Sequence, residues 1–456
     1  MQGQVVIINF PDTGHINPTL PLVAELAERR IQVTYFLPEA FRAVVTAAGA
    51  TWRPLRAPMD LSQEMLEHYL DDSEPPIEEY EFPLSTLAVA SWILLDLIEE
   101  LQGLSPPPGV IVYDPFLPHA LVAARHLHLP AVCLVTHPGP GTMPHPPQLV
   151  EEWESHQIVQ KARKEIKDFY EMDVFQHGTL MEFYSADLNL VTTIAELFAP
   201  PRLSPQLKRF GHFPFHCVGP MVNPKLKRLA HAFAPSKPVE PLPHEQIDAA
   251  LAAGKRFVFV SMGTVGSGGR WNGGFGPLAA HNGIQNLTGK EFLQQVYRAV
   301  MEAFQDQEDL LVLMAVGPQP DALEGLPSCP SNVLLRPTVP QLEVLQRCHA
   351  FVTHGGNNSI HEALSYAVPM AVIPMFGDQP YNAESVAGLG CGVSFRYPLQ
   401  TLTPQRLRGA VRHLLEEPSY HLAAMQLSQK LRAASGAKGA AEAIVRATSK
   451  CHLAGA

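Results

Sequence analysis

Ala350-Phe-Val-Thr353 runs directly into His354-Gly-Gly-Asn-Asn-Ser-Ile-His-Glu362 and on into Ala363-Leu-Ser-Tyr366. A short apolar run, a glycine-rich turn and a helical continuation make a strand–loop–helix step, the repeating unit of a parallel α/β sheet. The two glycines let the backbone approach a ligand closely. Asn358 and Ser359 are residue types that start helices, where backbone amides carry partial positive charge. Such a turn suits a diphosphate, with His354 as an extra donor and Gly356 beside it. Glu362, about one helical turn further on, is placed to accept from ribose hydroxyls. Read from the residues alone, a ligand-free turn capped by asparagine is an equal alternative.

The same step recurs on both sides of this stretch. Arg256-Phe-Val-Phe-Val260, Leu310-Leu-Val-Leu-Met-Ala-Val316 and Met370-Ala-Val-Ile-Pro374 read as further buried strands in the second half. In the first half Val5 to Phe10, Gln32 to Leu37, Gly109 to Tyr113, Ala131 to Val135 and Leu188 to Thr192 do the same, with helical segments between them. The turn-rich Pro11-Asp-Thr-Gly-His-Ile-Asn-Pro18 follows the first strand, and a helical pattern is expected from about Leu20. The Pro-rich, basic stretch 222–245 reads as a linker. The expected domains are therefore 1–221 and 246–430, two Rossmann-like, doubly wound α/β domains facing a cleft, with ligands beyond the strand C-termini. Val265 to Thr288 holds seven glycines. It is expected to be either a mobile surface loop or a lid.

Composition narrows the function. The chain has 456 residues with 46% hydrophobic and 17% charged, ordinary for a globular enzyme with a core. A formal net charge of −11 speaks against a nucleic-acid partner, which would need a basic face. The six cysteines form no Cys-x-x-Cys pair and read as reduced thiols of a cytoplasmic protein. Met1-Gln-Gly-Gln4 leads straight into the first strand, so no signal peptide is read there. No apolar run reaches the length of a membrane span. The sequon matches at Asn286 and Asn357 are then coincidental.

Several spacings between Pro340 and Asn382 agree at once with a known signature. Val339-Pro-Gln341, His354-Gly-Gly-Asn-Asn-Ser359, Glu362, Pro369, Pro374, Asp378-Gln379 and Asn382-Ala383 resemble the donor-binding region of family 1 UDP-glycosyltransferases, enzymes of GT-B fold. The Gln341–His354 gap looks like that of bacterial macrolide-type members, and the Asp-Gln pair like that of plant and animal members. The resemblance implies that His354, Asn358 and Ser359 bind the diphosphate and Glu362 the ribose. Asp378 and Gln379 would read sugar hydroxyls, with glucose as the default. Ser261-Met-Gly-Thr264, carrying Ser261, Gly263 and Thr264, resembles the family's second phosphate-side loop. The family usually places Trp or Phe two residues before the Pro of Pro-Gln, stacked on uracil. Here that position is Thr338, which leaves the base to backbone near Val339 or to stacking by Arg336. The region 431–456, with Gly436-Ala-Lys-Gly439, resembles the family's last helix, which crosses back to the first domain.

The same resemblance gives meaning to Gly14-His15-Ile-Asn-Pro18. A lone loop histidine is usually structural, but here it matches the family's catalytic base. Asp114, in Val112-Tyr-Asp-Pro115, matches its partner, although a strand-end turn aspartate remains an alternative. His15 would take a proton from an acceptor hydroxyl as it attacks the anomeric carbon, and Asp114 would orient the ring. The implied reaction is inverting, with a nucleoside diphosphate leaving. No cofactor is expected, and no Asp-x-Asp or His-Glu-x-x-His motif suggests a metal. A UDP-sugar, a small acceptor and a monomeric state are the expected partners and form. The acceptor would be apolar, a phenol, flavonoid or terpenoid, lined by residues within 69–82, 136–146 and 169–183. Rival readings are a lipid-linked sugar transferase, a nucleotide-sugar epimerase, a nicotinamide-dependent oxidoreductase and a non-catalytic nucleotide-sugar binder. The oxidoreductase would want Gly-x-Gly-x-x-Gly after the first strand, which is absent. The binder would be expected to lack His15.

Overall fold

The computed structural model describes residues 3–70, 82–143, 147–203, 205, 207–229 and 241–454. Parts of two expected acceptor loops (71–81 and 144–146) and the middle of the expected linker (230–240) lie outside the described residues. The chain divides into two compact units. The first is Met1–Gly141, His145–Arg228 and Ser435–Ala456, and the second is Leu229–Ala434 with Thr142–Pro144.

The first unit is built on strands β1 Gln4–Ile8, β2 Val33–Leu37, β3 Thr51–Pro54, β4 Pro108–Tyr113 and β5 Ala131–Val135. A short hairpin, β6 Gly178–Thr179 and β7 Glu182–Phe183, precedes β8 Leu188–Val191 and β9 Phe215–Cys217. The seven-stranded sheet has the order β3-β2-β1-β4-β5-β8-β9, and its strands pair in parallel. β1, β2 and β5 are buried along their whole length. That explains their unbroken apolar sequences, since a sheet covered on both faces has no polar side. The order reverses between β1 and β4, where Ile8 lies beside Tyr113. Loops leaving those two neighbours turn away from each other and open a crevice between them.

The helix after β1 starts earlier than the sequence pattern suggests. It spans Thr13–Glu28, with Asp12 as N-cap accepting from the Gly14 amide at 2.7 Å. Pro18 and Pro21 lie inside it. A proline within a helix removes one amide and strains the turn before it. Local side chains reinforce the same stretch: Asn9 Nδ2 donates to the His15 carbonyl at 3.0 Å, and Thr19 Oγ1 to the Ile16 carbonyl at 2.7 Å. His15 thus sits in the first turn of a helix instead of in a free loop.

The second unit repeats the plan with β10 Arg256–Ser261, β11 Leu310–Ala315, β12 Val333–Arg336, β13 Ala350–Thr353, β14 Met370–Val372 and β15 Gly392–Ser394. Their order is β12-β11-β10-β13-β14-β15, parallel throughout. The reversal falls between β10 and β13, with Ser261 opposite Thr353.

The glycine-rich segment 265–288 is neither a loose loop nor a cover. Trp271 is 1% exposed, and Phe275, Ala279 and Ile284 join it in the core of this unit. Trp271 Nε1 donates to Asp321 at 2.9 Å. Gly274 bridges Thr288, which begins the helix Gly289–Phe304 through a reciprocal capping box with Glu291. The glycine count masked these four apolar anchors, Trp271, Phe275, Ala279 and Ile284.

The helix Pro418–Ala433 belongs to the second unit and Gly436–Ala454 to the first. The Gly436 amide donates to the Val218 carbonyl at 2.6 Å, and Arg29 reaches the Lys438 carbonyl and Glu442 at 3.4 Å. Among the described residues no helix is long and apolar enough to cross a membrane.

Candidate active site

The crevice of the first unit holds His15 and Asp114 together. His15 Nδ1 lies 2.6 Å from Asp114 Oδ2, with side-chain exposures of 17% and 0%. The other oxygen, Oδ1, accepts from the Phe116 amide at 3.0 Å. A buried carboxylate so held accepts the Nδ1 proton and leaves Nε2 as the basic nitrogen. Phe10 and Phe116 flank the imidazole, each with ring centroids 5.0 Å away. Thr136 Oγ1, just past β5, stands 3.2 Å from the same Nδ1. Sequence reading assigned Thr136 only to an acceptor loop. Its position one residue beyond a buried strand end was the available signal.

Behind this pair lies a buried polar cluster that the sequence did not suggest. His137 Nε2 is 3.4 Å from Glu182 Oε1. Glu182 also accepts from the Tyr184 hydroxyl at 2.7 Å and the Gly141 amide at 3.1 Å. Burial dominates both groups, lowering His137 to about 4 and raising Glu182 to about 7. Each is thereby favoured in its uncharged form, as low-dielectric surroundings require.

The second unit gathers the remaining candidates around its own crevice. Gly263, after β10, has φ +77, and a Cβ there would lie 2.6 Å from the His354 ring. Only glycine lets the two loops meet this closely. Burial lowers His354 to about 4, with a backbone bond to Ser261 opposing the shift. Its imidazole is therefore neutral near pH 7. Thr264 follows Gly263 in the same loop, and Ser267 Oγ donates to the Gly263 carbonyl at 2.6 Å.

The helix Asn357–Ser365 begins at Gly356, which is the N-cap with no side chain capping it. Asn358 and Ser359 are therefore inside the first turn and are not the caps. That turn has no intrahelical acceptor for its amides, the property an anion uses. Gln341, first residue of the helix Gln341–Leu345, donates from Nε2 to Glu362 Oε2 at 2.8 Å and to Ser359 Oγ at 3.3 Å. Gln341, Ser359 and buried Glu362 thus form one knot. Val339 lies in the turn before Gln341, partly buried.

Thr338, two residues before Pro340, is 7% exposed, and its hydroxyl is buried without a partner among the described residues. No aromatic face exists at that point of the chain. Arg336 is the last residue of β12, and its Nη1 donates to the Leu335 carbonyl at 2.7 Å.

Asp378 caps the helix Gln379–Gly388 without a side-chain bond to its amides. Its Oδ2 accepts from Asn382 Nδ2 at 3.0 Å, and the same nitrogen reaches the Gly355 carbonyl at 2.8 Å. Asn382, one turn after Asp378 on the same face, ties the acidic residue to the glycine turn. Gln379 Oε1 accepts from the Met375 amide at 2.8 Å and the Phe376 amide at 3.3 Å. Its carbonyl end is thus engaged by backbone, and its Nε2 has no hydrogen-bond partner among the described residues. Among those residues no group of three or more His, Cys, Asp or Glu gathers that could hold a metal ion.

Residues 294–433 match the family model described as UDP-glucoronosyl and UDP-glucosyl transferase. The chain is 26% identical to an uncharacterised UDP-glucosyltransferase, YojK, of Bacillus subtilis (strain 168), over 98% of this chain and 97% of that protein. It is also 26% identical to the NDP-glycosyltransferase YjiC of the same organism, over 96% of each chain. The crystal structure of the glycotransferase of kitacinnamycin superposes with a TM-score of 0.69 at 25% identity, covering 98% of both chains. Two parallel sheets, each with its ligand-ready loops at the strand reversal, are thus those of a GT-B glycosyltransferase that uses a nucleotide-sugar donor. Residues 294–433 thus match that family's model, and along nearly its whole length the chain resembles bacterial glycosyltransferases.

Proposed function

We propose that this protein is an inverting transferase that moves a sugar, with glucose the default, from a UDP-sugar to a hydroxyl of a small apolar or phenolic acceptor. The observation that carries the reading is the 2.6 Å pairing of His15 with a fully buried Asp114. In this scheme His15 Nε2 removes the acceptor proton, and Asp114 stabilises the imidazolium that forms. The acceptor oxygen bonds to the anomeric carbon as the bond to the diphosphate oxygen breaks. The first-turn amides of the helix Asn357–Ser365 and His354 offset the charge that develops on that oxygen. His354 is neutral without ligand, and an arriving diphosphate favours its protonation. Glu362 holds the ribose, while Asp378 and the Gln379 amide nitrogen bind sugar hydroxyls. No metal or cofactor enters the scheme. Thr338 offers the base no ring to stack on, a contribution of about 0.5–1.5 kcal/mol elsewhere. Discrimination between uridine and thymidine diphosphate donors is therefore expected to be modest.

The test is a panel of nucleotide-sugar donors crossed with phenolic and terpenoid acceptors, read by mass spectrometry, with and without a chelator. Transfer from a UDP-sugar, insensitive to chelator and giving the inverted anomer by NMR, is the expected result. His15→Ala should abolish transfer while UDP still binds by calorimetry. Persisting transfer in that variant would remove His15 as the base.

A further inference from the structure

The glycine-rich segment 265–288 holds the loop that leads to Asp378 and Gln379. Asn282, 1% exposed at the end of the short helix Gly276–Asn282, donates from Nδ2 to the Met375 carbonyl at 3.0 Å. The Met375 amide in turn donates to Gln379 Oε1 at 2.8 Å. Both polar groups of one buried peptide segment are thereby engaged, one by the glycine-rich segment and one by a proposed sugar contact. At the other end of the segment Gly266 faces the same residue, since a Cβ there would lie 3.1 Å from Met375 Sδ. Phe275 packs on Phe376 with ring centroids 5.4 Å apart. Asn282 Oδ1 is buried with no partner among the described residues, a costly state for an amide. A side chain that only filled space would not need that cost.

We propose that Asn282 is a positioning residue for the donor sugar: through Met375 it sets where Gln379 and Asp378 meet the sugar hydroxyls, so the glycine-rich segment tunes which sugar is transferred. This rests on the reading that Asp378 and Gln379 contact the sugar. Contacts to hydroxyls demand placement within fractions of an ångström. The diphosphate and ribose contacts at His354, Ser359 and Glu362 are held by other bonds, to Ser261 and Gln341. Sugar selection and nucleotide binding should therefore separate.

Asn282→Leu keeps the volume and removes the donor, and Gly266→Ala presses on the Met375 side chain. Each full-length variant is assayed for donor KM and kcat with two epimeric UDP-hexoses, for UDP affinity by calorimetry, and for Tm. The expected result is a donor KM raised by about tenfold and a narrowed preference between epimers. UDP affinity should stay within about twofold. An unchanged donor KM and epimer ratio in both variants would overturn the proposal. So would UDP affinity weakened as much as donor KM, since that marks a merely structural role. Asp378→Ala separates the two layers. If it leaves donor KM and epimer ratio untouched, the sugar-contact reading is what fails.

Discussion

Asp114 carries two jobs with one carboxylate, and each oxygen has a separate partner. Oδ1 is held by the Phe116 amide and Oδ2 by His15. Replacing it by asparagine keeps the shape but offers an amide where an acceptor is needed, which reverses the tautomer of the ring. Asp114→Asn is therefore expected to lower kcat by roughly 10²–10⁴ with donor KM little changed. Steady-state kinetics with varied donor decide it, and a kcat near wild type would remove Asp114 from the mechanism. His15 and Asp114 were visible as residue types at strand ends. The flanking rings of Phe10 and Phe116 and the Thr136 hydroxyl were not, because their contribution depends on three strands ending side by side.

The elements most easily read were the central strands, whose apolar runs are continuous because helices cover both sheet faces. Two misreadings have the same cause. The helix Thr13–Glu28 begins before its internal prolines, and segment 265–288 folds into the core despite its glycines. In the first, the Asp12 cap and local side-chain bonds, and in the second, packing into the core, outweigh residue preferences that would break regular structure. Trp271 is the anchor of the second case. Trp271→Ala should destabilise the protein by about 3–5 kcal/mol, through the cavity left behind and the loss of its bond to Asp321. Urea unfolding followed by circular dichroism measures this. A midpoint unchanged from wild type would return the segment to the status of a surface loop.

Over the whole molecule, buried histidines dominate the response to acid. Burial lowers His119 to about 3 and His137, His354 and His361 to about 4, whereas an unfolded chain binds those protons near pH 6.5. Between about pH 6.5 and 4 the unfolded chain thus holds more protons, so stability falls as pH falls through that window. Glu182 acts in the opposite sense. Its folded value of about 7 means the native state holds the extra proton from about pH 4.5 to 7, and stability falls as pH rises there. Burial also lowers His177 and His349 and raises Glu154, so six histidines oppose two glutamates and Tm is expected to drop from pH 6.5 to 4.5. Glu182→Gln should make that drop steeper. Calorimetry at stepped pH provides the check, and a flat or rising Tm on acidification would contradict it.

Local pattern was enough for the α/β class, the strand–loop–helix steps and the residue types gathered between Pro340 and Asn382, because apolar runs and glycine turns are written residue by residue. Strand order was beyond it. Only the folded sheets place the reversals between β1 and β4 and between β10 and β13. Those reversals bring His15 to Asp114, and Gly263 to His354, across about a hundred residues of chain. Pairing of strands distant in sequence is governed by packing and hydrogen bonding over the whole sheet, and no single stretch records it. The same reason hid the role of Asn282, whose one donor bond reaches a carbonyl 93 residues away.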